Sequence, residues 1–113
     1  MRKQLIQNSA LEVATQVRAV EDTIDQALAD IAELQARLVQ ARTVTGVAVA
    51  TSHPAFEQLV AATQALVSAR GGMANCHGAL VDAKQHIPGL RATSFGDNEC
   101  PPNTGVADLR VVA

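Results

Sequence analysis

The chain has almost no aromatic side chains. Its 113 residues include two phenylalanines, Phe56 and Phe95, and no tyrosine or tryptophan. Large aromatic rings supply much of the buried area of a rounded globular core, so a core made without them is thin. Charge of one sign is also missing: nine Lys and Arg face eleven Asp and Glu, a net charge of −2. With no basic patch and no interleaved aromatics, a nucleic-acid partner has no electrostatic footprint here. No run of about 18 apolar residues occurs, which excludes a membrane-spanning helix. The polar breaks in MRKQLIQNSALEVATQ are unlike the continuous apolar core of a signal peptide, so the expected setting is the cytoplasm, or a larger assembly entered from it. Two cysteines are too few for a disulfide scaffold.

What is present is aliphatic and small. Nearly half of the residues are apolar, and they are mainly Ala, Val, Leu and Ile, a composition suited to long helices in close contact. Up to Thr45 there is neither glycine nor proline. Through this stretch Ile6, Ala10, Val13, Val17, Val20, Ile24, Ala27, Ile31, Leu34, Leu38 and Ala41 recur at alternating steps of four and three, the spacing of a coiled-coil seam. Ala14 and Leu28 widen the stripe. Glu12, Arg18, Asp22, Asp25, Glu33 and Arg37 fall on the opposite face as a solvated surface. The pattern predicts a helix over 3–42, roughly 60 Å long at 1.5 Å per residue.

TVTGVAVATSHP changes the composition. β-Branched residues cluster around Gly46, and Pro54 marks a new start. The expected connection is 43–53, with Ser52 or His53 capping a second helix over 54–87 and Pro54 in its first turn. The large residues of that helix are Phe56, Leu59, Val60, Leu66, Val67, Met73, Leu80, Val81 and Ile87. Thr63, Arg70, His77 and Lys84 share their stripe. The other side is small throughout: Ala61, Ala65, Ser68, Gly72, Cys76, Ala79 and Ala83. Between Gln58 and Val81 the single formal charge is Arg70. A helix with so few charges is covered on more than one side, so the small face is the expected interface with another copy or a partner protein. Gly71 and Gly72 each cost about 1 kcal/mol of helix relative to Ala. Their expected reason is close approach of a neighbouring backbone.

After Ile87, Pro88 and Gly89 end the helix, and 88–113 reads as a loop-rich tail. The run ECPPNTG is a turn or extended loop, and ADLRVVA is a segment able to dock or pair.

GGMANCHGAL, residues 71–80, sets a cysteine beside a histidine. Adjacent helix positions point about 100° apart, so Cys76 and His77 do not share an ion, and no CxxC, HxxxH or HExxH spacing exists. A metal set needs Cys100 folded back from the tail, with His53 and His86 as remaining candidates. Cys76 lies mid-helix, away from any helix end that activates a thiol, and suits the small face as a small hydrophobe. GGMANCHG lacks the lysine and spacing of a phosphate loop.

The fold class expected is all-α: an antiparallel two-helix hairpin over 1–87 with an irregular tail, completed by oligomerisation. One internal seam buries too little for a lone hairpin. The leading function is a non-enzymatic structural or assembly protein that pairs with itself, such as a small virion, tail or filament component or an adaptor. It uses no cofactor, metal or catalytic residue. The alternatives are a small helical regulator that binds one target protein and, more weakly, a thiol or metal sensor using Cys76, His77 and Cys100.

Overall fold

The computed structural model describes residues 1–90. They form two long helices, α1 (Arg2–Thr45) and α2 (Val49–Lys84), in contact as a hairpin. No strand occurs among the described residues. The predicted tail beyond residue 90, with Cys100 and ADLRVVA, lies outside them.

Local chemistry accounts for the length of α1. Glu33 and Arg37 pair at 2.7 Å, acid before base at i and i+4, the favoured order. Gln4 donates to Asn8 and Gln26 to Asp30 over the same interval. Thr23, Thr43 and Thr45 are poor helix formers. Each turns its hydroxyl back to donate to the carbonyl four residues earlier, on Ala19, Val39 and Ala41, which satisfies the polar group locally. Arg42 in the last turn of α1 and Lys84 in that of α2 complement the negative ends of the helix dipoles.

The helices extend further toward one another than the expected 3–42 and 54–87. Gly46 ends α1 in the left-handed conformation, φ +70°, and its N–H donates to the Arg42 carbonyl at 2.9 Å. This is the glycine cap that β-carbons disfavour. The connection to α2 is therefore three residues, Gly46 to Ala48, and not 43–53. Pro54 sits six residues into α2. Its ring nitrogen cannot donate to the Ala50 carbonyl, yet one more turn of helix precedes it. Thr43, Val44, Thr45, Val49 and Thr51, expected in the connection, are helical, and Val47 stays in the turn. At the other end α2 stops at Lys84, and single-turn bonds from Ile87 to Lys84 and from Leu90 to Ile87 replace the expected last turn.

Two compact units divide the chain, Gln16–Met73 and Met1–Thr15 with Ala74–Ala113. In the first, Val17 is buried at 8% exposure, and Glu21, Ile24, Leu28, Ile31, Leu38 and Arg42 of α1 are half-buried. The covered residues of α2 there are Ser52, Phe56, Leu59, Thr63, Leu66 and Met73. Both series run in steps of four and three, with one step of seven in each. Asp25 and Arg70 join the two helices: the Arg70 guanidinium donates to the Asp25 carboxylate at 2.7 Å. That bond, followed by the carboxylate's charge, raises the Arg70 pKa further. Asp25, expected on a purely solvated face, thus fixes register. In the second unit Ile6, Gln7, Ala10 and Ala14 of α1 and His77, Gly78, Val81 and Lys84 of α2 are covered at least in part. Leu90 is buried at 2%, and the Lys3 side chain lies against Gly89.

The seam keeps the predicted column Val17, Ile24, Ile31 and Leu38 and is widened on the side of Ala14, Glu21, Leu28 and Arg42. Ala10, Ala14, Val17, Glu21, Ile24, Leu28, Ile31, Leu38 and Arg42 are covered, whereas Val13 and Leu34 of the expected seam are each 46% exposed. Ile6, Val20 and Ala27 are half-buried at the flank. On α2, Val60 and Val67 point away from α1, at 58% and 55% exposure, and Ile87 is also exposed. The apolar stripe of α1 is wider than one partner helix, and α2 takes the half of it that the hairpin turn presents.

Replacing Ile24 with Asp puts a charge into this seam. It should cost several kcal/mol and lower both helical circular dichroism and the melting temperature. Unchanged melting would remove Ile24 from the seam.

Candidate surface for helix association

The surface is best followed from the seam outward. In the unit Gln16–Met73, two flanks border the seam. One carries charge: Arg18, Asp25 and Val39 on α1, and His53, Val60, Val67 and Arg70 on α2. The Asp25–Arg70 pair lies there. At its turn end an open hollow of about 330 Å³ is lined by Val39, Arg42, Val49, Ser52, His53 and Phe56. Its walls are mostly carbon, including the Arg42 stem. The Arg42 Nε is shielded from solvent and has no hydrogen-bond partner. His53 and Glu57 lie 3.3 Å apart on the exposed rim.

The other flank is uncharged. On α1 it consists of Val20, Ala27, Leu34 and Ala41, seven residues apart. On α2 it consists of Ala55, Ala62 and Ala69, at the same interval. The predicted interface residues Ala61, Ala65, Ser68 and Gly72 lie on the outer side of this alanine row, and all are exposed. In the unit containing Ala74, Cys76, Ala79 and Ala83 are exposed as well. None of the seven touches α1 closely enough to be buried. Pattern reading located this face but undervalued the row Ala55, Ala62 and Ala69, because alanine at a seven-residue interval is a weak signal inside an alanine-rich helix.

The glycines have free space around them. A β-carbon on Gly71, Gly72 or Gly78 would meet no atom within 4 Å. Helix α2 is continuous through all three. Close approach by another of the described residues is therefore not their reason.

Cys76 is a free, exposed thiol. His77, one residue on, is half-buried. Among the described residues no group of three His, Cys, Asp or Glu side chains converges to hold a metal ion. A pairing of Cys76 with Cys100 falls outside them. The described residues also include no helix long and apolar enough to cross a membrane. No known protein family, curated protein or solved structure matches this chain.

With open space at both positions, Gly71→Ala and Gly72→Ala should each stabilise α2, by up to about 1 kcal/mol, when thermal unfolding is followed at low protein concentration. Cys76→Ala should leave melting within about 1 kcal/mol of the parent. A loss of several kcal/mol in any of the three would show that these positions are packed tightly.

Proposed function

We propose that the chain is a non-enzymatic structural or assembly protein that associates with itself through its helical faces. A small component of a virion, tail or filament, or an adaptor, has these requirements. It works without metal, cofactor or nucleic acid, in the cytoplasm or in an assembly entered from it, and a second protein joins it there.

One observation carries this reading. Among the described residues the only buried apolar side chains are Val17 and Leu90, whereas Leu5, Leu11, Val13, Leu34, Val39, Val60 and Val67 are all about half exposed or more. Hydrophobic burial stabilises by about 25 cal/mol per Å², and ordering each residue costs on the order of 1–2 kcal/mol. Described residues that bury two apolar side chains and the rest only in part do not offset that cost alone. Further burial has to come from outside the described residues, and on this reading a second copy supplies it. The scarcity of charge on α2 supports the same conclusion, since a surface kept in water carries more of it.

Sedimentation tests it directly. The mass of the purified chain should exceed that of one copy and rise with concentration. Ala65→Leu, which adds bulk to the small face, should lower that mass while the chain stays helical, since overpacking costs about 1–3 kcal/mol. A chain that stays monomeric at high concentration would refute self-association and favour a regulator that binds a single target.

A further inference from the structure

The two rows of the uncharged flank differ in size in a way that suits one occupant. On α1 the row carries its bulk at Val20 and Leu34. On α2 the row is alanine at Ala55, Ala62 and Ala69. A large row and a small row on the same chain are the two halves of an isologous contact, in which each copy supplies both. We infer that a second copy of this chain covers the flank, related by a two-fold axis parallel to the helices, so that Leu34 of each copy seats against Ala62 of the other. The inference rests on the self-association proposed above and adds the face, the axis and the register.

The register follows from the hairpin. Asp25 bonds Arg70, so residues at equal height in α1 and α2 have numbers that sum to about 95. A two-fold axis parallel to the helices keeps those heights. It brings α1 of one copy beside α2 of the other, running in opposite directions. Leu34 then meets Ala62, Ala27 meets Ala69 and Ala41 meets Ala55. An axis across the helices instead sets α1 against α1, where Leu34 meets bulk and the alanine rows face each other across a gap. Close packing at interior density disfavours that arrangement. The sum of the four helices is an antiparallel bundle in which every neighbour runs the opposite way.

The area is sufficient. From Val20 to Ala41 the flank runs about 32 Å at 1.5 Å per residue. Two packed helices make it about 20 Å wide. That is on the order of 600 Å² per copy, or about 1,200 Å² in total, above the roughly 1,000 Å² that a specific interface needs. The opposite flank, with Arg18, Asp25, Arg70 and the His53–Glu57 pair, is the side left to water.

The test uses the full-length chain and sedimentation equilibrium, with circular dichroism on every variant. Leu34→Asp should weaken association about 100-fold or more. The matching change on the charged flank, Val67→Asp, should leave it within about threefold. Leu34→Ala and Ala62→Leu should each weaken association, and the two together should recover most of the loss, because the volume lost in one row returns in the other. Rescue by the double exchange would support the large-against-small pairing. A wild-type oligomer that Leu34→Asp and Ala62→Leu leave unchanged would overturn this interface while self-association itself stands. A monomeric wild type would overturn both.

Discussion

Two helices share a single line of contact, and the character of this chain follows from how little that line can cover. Along the seam, α1 offers Val17, Ile24, Leu28, Ile31 and Leu38, and α2 offers Phe56, Leu59, Leu66 and Met73. Each is shielded on one side only, so among these residues only Val17 is buried. Polar residues also occupy seam positions. Glu21, Thr63, His77 and Lys84 stand where a larger core would have aliphatic side chains. Thr63 donates its hydroxyl to the Leu59 carbonyl, and Lys84 is buried at 8% exposure. The seam is therefore better at setting direction and register than at supplying stability.

Register has its own devices. Gly46 stops α1 at a fixed place because its backbone takes a conformation that side chains disfavour. Three residues later α2 begins, so the short turn permits one alignment of the two stripes. The Asp25–Arg70 bond then marks equal heights far from the turn. An exposed ion pair of this kind adds little stability. Its value here is positional, since a slip by one helical turn would separate the two groups. The small residues of α2 complete the picture. Alanine and glycine let another backbone approach, and among the described residues no backbone does so at Gly71, Gly72 or Gly78.

The two flanks of the hairpin divide the remaining roles by charge. Arg18, Asp25, Arg70, His53 and Glu57 give one side a polar surface. The other side keeps its aliphatic and alanine rows without a formal charge. An amphipathic helix normally has one apolar stripe. In α1 the stripe is wide enough for two neighbours, and α2 occupies one side of it. The wider a stripe is, the less a sequence pattern reveals about which half the nearest partner takes.

This division separates what was legible from what was not. Helix-forming residues without Gly or Pro, together with the four-three repeat from Ile6 to Ala41, determined a long α1. The apolar stripe from Phe56 to Val81, in which Arg70 is the one charge, determined a second helix against it. Both signals are local and periodic, so the sequence carries them in full. The column that faces α2 was decided by tertiary structure. Ala14, Glu21 and Arg42 are covered while Val13 and Leu34 are exposed, because the turn at Gly46 sets the angle at which α2 returns. The start of α2 also lies earlier than Pro54, at Val49, because a proline is tolerated in the first turns of a helix and does not have to mark its first residue. The small face from Ala61 to Ala83 was legible as a face, because small residues at helical spacing are a pattern. That α1 does not cover it required the structure, because a pattern records what a surface can accept and only packing determines what reaches it.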